Sequence, residues 1–396
     1  MVKSNPWLLP EGIEEVLPPR AEALEILCRK VLDQFSTWGY EQVIPPLIEF
    51  LDSLLIGTGE DLELQTFKIT DQLTGRLMGV RADITPQVAR IDVNRLQRET
   101  PVRLCYLGSV LHTRPPGPGG TRAPLQVGAE LYGHAGVESD AEIVSLMLKT
   151  LQICGIGEVH VDLGHVGIYR SLLERLRLTP EGERDLFDAL QKKSGAEIKK
   201  VVEDWKLPGD MADAVLCMNE LHGDATVLDE AGRLLRKLGK DALACIDDLK
   251  RIADLTRRQV RDAPLYFDLA ELRGYHYHTG MMFTAYVPGR GQCIARGGRY
   301  DDIGRAFGRP RPATGFSLDI KTVFELVDPP PVPGDAVFAP CSEVPGLYEA
   351  IDTLRGNGER VVCQLPGQTG GARDMGCTRE LYLEGGRWKV RDISNG

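Results

Sequence analysis

Arg103-Leu-Cys-Tyr-Leu-Gly-Ser-Val-Leu-His-Thr-Arg-Pro-Pro-Gly-Pro-Gly-Gly-Thr-Arg-Ala-Pro-Leu-Gln-Val-Gly-Ala-Glu130 divides into two apolar-rich runs joined by a Pro/Gly turn. Val102–Leu107 and Leu125–Tyr132 are predicted strands, and the Leu111–Gly120 stretch between them cannot continue a ladder. The unit reads as a strand-loop-strand hairpin. Its loop carries Arg114 and Arg122 without an acid. Two guanidinium forks at a hairpin mouth suit a phosphate or carboxylate ligand, and the other reading is a solvated loop. Gln126, Gly128 and Glu130 alternate, so they share one strand face. A Gln and a Glu on one face need partners or solvent, which means an exposed face or a polar pocket.

Outward from this hairpin, Ala21–Trp38 is a predicted helix, since Ala23, Leu24, Leu27, Val31, Leu32 and Phe35 recur at helical spacing. A short strand over Tyr40–Ile44 ends at Pro45-Pro46. Leu77–Val80 is a further strand. Asp140–Cys154 is a helix with Asp140 as a candidate cap. From Val166 to Asp262 charged helical patterns dominate, so this region is a mostly helical insertion. Strands return at Leu265–Leu269, Met281–Val287, Gln292–Ile294 and Thr314–Asp319, followed by a helix over Ile320–Val327. Residues 328–334 read Asp-Pro-Pro-Pro-Val-Pro-Gly, a linker by composition. The expected organisation is a core over 1–327, a linker over 328–334 and a small C-terminal α/β unit over 335–396.

The chain has 396 residues, 47 Lys plus Arg against 57 Asp plus Glu, hence a net charge of −10. At roughly 100–200 residues per domain this length suits two or three domains. The composition is globular, and the acidic balance argues against a large basic footprint for nucleic acid. The 9 Cys are scattered with no CxxC pair, which points to reduced thiols in a cytoplasmic protein rather than a zinc site or disulfide scaffold. The start lacks a basic-then-apolar leader, and no 18-residue apolar run exists to span a membrane.

Three more stretches carry candidate chemistry. In Val80-Arg-Ala-Asp-Ile-Thr-Pro-Gln87, Asp83 and Thr85 could hold an ammonium, or Asp83 could cap the helix after Pro86. In Leu272-Arg-Gly-Tyr-His-Tyr-His-Thr-Gly280, His276 and His278 have a strand-face spacing but no third ligand, so no metal is expected. In Ala295-Arg-Gly-Gly-Arg-Tyr-Asp-Asp302 the glycine pair allows close backbone approach, without a nucleotide-loop pattern.

In this order the stretches resemble the core of class II aminoacyl-tRNA synthetases of the histidyl branch. Residues 39–49, Gly-Tyr-Glu-Gln-Val-Ile-Pro-Pro-Leu-Ile-Glu, are similar to the first, dimer-forming motif, and 103–133 to the second. Residues 272–280 and 296–301 resemble the two histidyl-specific peptides, and Thr314-Gly-Phe-Ser-Leu-Asp319 the third motif. The resemblance implies an α+β fold: an antiparallel sheet flanked by helices, with a helical insertion. It also implies a histidine pocket. Asp83 and Thr85 would hold the ammonium, Gln126 and Glu130 would reach the amino acid and imidazole, and Arg273 would lie near the carboxylate. Tyr300 would help close the pocket, Tyr277 would belong to it as the retained member of a Tyr-Tyr pair on the imidazole side, and Arg114 and Arg122 would be a residual anion site.

Three departures fall on the ATP side, and on the amino-acid side Asp83 stands for the usual Glu. Thr113 stands at an acidic position, Pro124 at that of an adenine-stacking Phe, and Thr322 at that of an Arg gripping the γ-phosphate. Losing several such clamps should abolish adenylate formation. His278 replaces the second Tyr of a Tyr-Tyr pair. The tail is shorter than the synthetases' anticodon-binding domain. This combination is similar to the regulatory subunits of ATP phosphoribosyltransferase, synthetase paralogues of histidine biosynthesis. That implies a noncatalytic homodimer docking short-form catalytic subunits in a hetero-octamer, with histidine as allosteric effector and no cofactor, tRNA or membrane partner. The alternative is a histidyl-tRNA synthetase or related adenylate-forming enzyme.

Overall fold

The computed structural model describes residues 7–57, 59–115, 117, 120–275, 277–331 and 334–393. It falls into two compact units, Met1–Pro329 and Pro330–Gly396. The expected position of His276 and part of the 328–334 linker lie outside the described residues.

The larger unit is built on a nine-stranded sheet. Its order is Glu41–Gln42, Val102–Ser109, Leu125–Tyr132, Ala313–Asp319, Ala295–Arg299, Met281–Tyr286, His160–His165, Leu265–Asp268 and His222–Gly223. The pairings are antiparallel except where Glu41–Gln42 meets Val102–Ser109 and where His160–His165 meets Leu265–Asp268. Helix Arg20–Thr37 turns Leu24, Leu27, Val31 and Phe35 inward, and Phe35 meets Phe316 of the sheet edge-on at 5.9 Å. Helix Val137–Cys154 packs between the Ala313–Asp319 strand and helix Lys240–Gln259. These helices bury one face of the sheet. The region expected as a helical insertion contains the helices Val166–Leu176, Pro180–Gln191, Gly195–Asp204, Gly209–Glu220, Thr226–Leu234 and Lys240–Gln259.

Several local expectations are corrected. Asp140 is not a cap: the helix begins at Val137 after an extended Gly136, and Asp140 is buried against Arg299. The strand expected over Gln292–Ile294 runs instead over Ala295–Arg299. Glycine weakens strand propensity, but here it is needed. A side chain on Gly297 would meet Phe283 Cζ at 2.6 Å and Phe316 Cα at 2.8 Å. The helix after the third motif stops at Phe324 rather than Val327. A separate three-stranded sheet, Ile48–Phe50, Leu77–Val80 and Phe67–Thr70, was legible only in its Leu77–Val80 strand. Its other two strands are short and carry exposed residues without clean alternation.

The smaller unit has a four-stranded sheet, Arg360–Cys363, Ala336–Ala339, Arg379–Glu384 and Arg387–Asp392, with helix Leu347–Gly356. The alternation of its central strand explains its two cores. Val337 and Ala339 pack with Leu347, Ile351 and Leu381, while Ala336 and Phe338 pack with Ala372 and Cys377. No helix of the described residues is long and apolar enough to cross a membrane.

Candidate functional site

Glu130 lies on the Leu125–Tyr132 strand, opposite Leu104 on one side and Gly315 on the other. Its side chain is only 1% exposed, and a buried carboxyl must find partners. It finds three hydroxyls. Tyr106 Oη donates to Oε1 at 3.0 Å, Thr85 Oγ1 to Oε1 at 3.1 Å, and Tyr300 Oη to Oε2. Two glycines make this possible. A Cβ on Gly315 would overlap Glu130 Oε2, and one on Gly128 would overlap Tyr106 Oη. The hairpin and the neighbouring Ala313–Asp319 strand thus set glycine against polar residues so that a carboxyl and three hydroxyls fit together.

Tyr300 also reaches the Tyr132 hydroxyl at 3.4 Å. Tyr277 stacks on Tyr300, centroids 5.1 Å apart and planes 21° off parallel. Its own hydroxyl is buried and has no hydrogen-bond partner among the described residues, which is costly unless a ligand or water answers it. Burial pushes the Glu130 carboxyl up to about 8, against the lowering effect of the hydroxyls that donate to it. The same burial, with Glu130 nearby, raises the phenols of Tyr106, Tyr277 and Tyr300 well above their ordinary range. The cluster is a closed, water-poor acceptor surrounded by neutral phenols.

The loop after Leu77–Val80 seats on this cluster. Asp83 Oδ1 accepts from Thr85 N and from Gln126 Nε2, each at 2.9 Å, and Gln126 Oε1 accepts from Ile84 N at 2.9 Å. Asp83 thus satisfies a backbone N–H at a helix start, as its capping reading expects, and borders the Glu130 cluster through Gln126. Asp83, Thr85, Gln126, Glu130, Tyr277 and Tyr300 are brought together. Arg273 is not with them: its guanidinium bonds the Tyr286 hydroxyl and lies 3.9 Å from Glu271. Tyr106 and Tyr132 were missed by sequence reasoning. The signal for Tyr106 was its pairing across the hairpin with Gly128.

At the hairpin mouth, Arg122 Nε donates to His112 O at 3.0 Å and Nη1 to Glu11 O at 3.2 Å, with the guanidinium over the Phe67 ring. Arg114 is exposed. Thr113 Oγ1 donates to Leu64 O at 2.7 Å, and Thr322 Oγ1 to Asp319 Oδ2 at 2.8 Å. Arg122, Thr113 and Thr322 are thus turned to bonds within the chain. Elsewhere, Asp162, Asp268 and Glu271 bring carboxylate oxygens within 4.8 Å of one another. Lys193 already pairs Asp268, and the Arg273 N–H bonds Glu271.

Sheet, hairpin and tyrosine-lined carboxyl define a protein of the histidyl-tRNA synthetase-like class. Residues 12–323 match the histidyl-tRNA synthetase family, and residues 334–391 match the family described as ATP phosphoribosyltransferase subunit HisZ C-terminal domain. A histidyl-tRNA synthetase from Nostoc sp. PCC 7120 shares the fold, with a TM-score of 0.79 at 18% identity over 98% of this chain and 94% of that one. A solved structure from Bacillus halodurans C, described as an ATP phosphoribosyltransferase regulatory subunit/histidyl-tRNA synthetase, superposes with a TM-score of 0.83. It is 25% identical and the match covers 93% of this chain and 95% of that one. The chain is also 55% identical to the ATP phosphoribosyltransferase regulatory subunit of Thioalkalivibrio sulfidiphilus, over 99% of this chain and 100% of the relative. It is 51% identical to that of Pseudomonas entomophila over the full length of both. The chain belongs to the ATP phosphoribosyltransferase regulatory subunit family.

Proposed function

We propose that this chain is the noncatalytic regulatory subunit of ATP phosphoribosyltransferase in histidine biosynthesis, and that it senses histidine at the Glu130 cluster. The observation that carries the reading is the contrast between the Glu130 cluster and the Thr113 and Thr322 positions. A buried carboxyl lies beside an unanswered Tyr277 hydroxyl, while Thr113 and Thr322 spend their hydroxyls on the chain itself. Glu130 would accept from the imidazole, and Asp83 would face the ammonium. Because Glu130 is closed off, histidine would have to displace a member of its cage, and Tyr277, stacked on Tyr300, is the candidate. A ligand that has to open its site binds two conformations unequally, which is what allosteric control requires; a coupling of about 1–3 kcal/mol is typical.

The subunit would act as a homodimer. Ile44, Leu47, Ile48 and Leu77 are exposed around the three-stranded sheet of the first-motif region, a grouping that suits an interface between copies. The dimer would dock short-form catalytic subunits in a hetero-octamer, supporting their activity and passing on histidine inhibition. Aminoacylation would be lost, and tRNA would not be a partner.

The test is to co-purify the chain with a short-form catalytic subunit and assay the joining of ATP to phosphoribosyl pyrophosphate with and without histidine. Activity that needs the chain and falls with histidine is expected. Catalytic-subunit activity indifferent to the chain would overturn the reading. Histidine-dependent pyrophosphate exchange by the chain alone would favour a synthetase.

A further inference from the structure

The six residues gathered at the Glu130 cluster can receive an ammonium and an imidazole, but none of them is a cation. Asp83 and Glu130 are carboxyls, Thr85 and Gln126 are uncharged, and Tyr277 and Tyr300 are phenols. Histidine also brings a carboxylate. A carboxylate taken from water needs donors, and a guanidinium meets it best. Three guanidiniums around the hairpin are spent. Arg81 donates to Ser109 O at 2.9 Å and Pro45 O at 2.8 Å, Arg122 to His112 O and Glu11 O, and Arg273 to the Tyr286 hydroxyl.

Arg296 is not spent. It is exposed on the Ala295–Arg299 strand and makes no hydrogen bond or ion pair among the described residues. The register puts it on the face of Glu130. Gly298 pairs with Gly315, and Gly315 with Glu130. Arg296 lies two residues from Gly298, so its side chain leaves the sheet on the same side. Arg296 itself pairs with Ser317, and Ser317 with Gly128. Two strands across and two residues along, the Cα atoms of Glu130 and Arg296 are about 12 Å apart. Side chains reaching in from these two ends leave a gap that suits a molecule of histidine's length. By the same count Tyr286, which holds Arg273, is about 20 Å from Glu130.

The neighbours of Arg296 on that face leave its charge available. Its cross-strand partners, Ser317 and Thr284, are uncharged. Asp162, one strand beyond Thr284, is held by His160 Nε2 at 2.7 Å. His278 covers Gly298, where an added Cβ would lie 2.9 Å from its Nδ1, and burial pushes its ring down to about 4, so it is neutral.

We propose that Arg296 receives the carboxylate of the bound amino acid, so that the site selects an α-amino acid over an amine with the same side chain. The inference rests on histidine sensing at the Glu130 cluster. It gives Arg296 the role that the resemblance to synthetases gives Arg273.

Calorimetry on the full chain compares L-histidine with histamine, which keeps the ammonium and imidazole and lacks the carboxylate. In the parent, histidine should bind at least about tenfold more tightly, the contribution of one charge-assisted bond. Arg296→Gln should weaken histidine by about that factor and leave histamine unchanged, so that the preference disappears. Arg296→Lys should keep part of it, and Arg273→Gln should disturb it less than Arg296→Gln does. At an exposed position, Arg296→Gln should melt as the parent does. A preference for histidine that survives Arg296→Gln would overturn the assignment. So would an equal loss of both ligands, the mark of a structural role. Glu130→Gln separates this failure from failure of the pocket itself. If Glu130→Gln weakens histidine and Arg296→Gln does not, the pocket stands and its carboxylate partner is another residue. If histidine affinity ignores both changes, the pocket is not the sensor and the assignment falls with it.

Discussion

The Glu130 end of the hairpin and its Arg114–Arg122 mouth are made from equally polar residues, yet their side chains are committed differently. At the Glu130 end, glycines clear space so that a carboxyl is caged by phenols and one hydroxyl remains unanswered. At the mouth, Arg122, Thr113 and Thr322 are consumed by carbonyls and by Asp319. A side chain's type sets what it can do, but its bonds decide what is left over for a ligand.

The largest effect expected from this contrast is an absence. Histidine-dependent exchange of pyrophosphate with ATP should stay at the no-enzyme blank, because electrostatic clamps commonly contribute a few kcal/mol each and several are gone. Exchange above that blank in purified protein would break the comparison at its phosphate end.

Next in size is the packing of the cage. Gly315→Ala would place a methyl on Glu130 Oε2 and 2.8 Å from Ala129 O. The backbone cannot yield cheaply, and overpacking typically costs about 1–3 kcal/mol. A urea midpoint lowered correspondingly is expected, with histidine binding lost as well. A variant as stable as the parent would mean that the cage has slack.

Glu130→Gln sharpens the comparison in two ways. A carboxylate contact to a polar ligand group is worth about 1.5–3 kcal/mol, so histidine affinity should fall by about one to two orders of magnitude. The pH dependence should change too. Glu130 is raised from 4.5 to about 8, so between those values the folded protein holds a proton that the unfolded chain releases. This contribution to stability is full at low pH and is lost as pH rises through 8. Glu130→Gln should remove that decline, leaving the variant relatively more stable at pH 9 than at pH 6. In the parent, a ligand N–H on Glu130 favours the carboxylate, so histidine binding at pH 7 should release a proton. Calorimetry in buffers of different ionisation enthalpy reads that release directly, and none in the parent would detach the ligand from Glu130.

Much of this architecture was legible because it repeats a period. The Leu125–Tyr132 strand alternates, the Arg20–Thr37 helix keeps its apolar face, and both emerge close to where those patterns place them. The strand at Ala295–Arg299 was misplaced because Gly297 and Gly298 carry no pattern; they are required by what lies above them, which no local window contains. Asp83, Thr85, Gln126, Glu130, Tyr277 and Tyr300 were named in advance through ordered resemblance across separated segments. Tyr106 was passed over because a tyrosine in an apolar strand reads as core. The fate of Arg122 and Arg273 was not readable, since it turns on which carbonyl or phenol the fold brings to each guanidinium: His112 O and the distant Glu11 O for Arg122, and the Tyr286 hydroxyl for Arg273.

The smallest expected effect tests the mouth itself. If Arg122 is a structural tie rather than an anion site, its removal should cost stability and leave binding alone. Its two side-chain bonds reach His112 O and Glu11 O, and its stem packs against Gly12, where an added Cβ would lie 2.9 Å from Arg122 Cγ. The site is partly exposed, so each bond contributes about 1 kcal/mol at most, and the cation–π contact with Phe67 adds about 0.5–1 kcal/mol. Arg122→Gln keeps much of the stem and removes the fork. A stability loss of about 1–2 kcal/mol is expected in urea, with unchanged histidine affinity and faster proteolysis near Glu11. Arg114→Gln, at an exposed side chain, should change stability by less than about 0.5 kcal/mol. Weakened ATP or phosphate binding in Arg122→Gln, at unaltered stability, would show instead that the mouth still holds an anion, and the two ends of the hairpin would then differ less than their bonds imply.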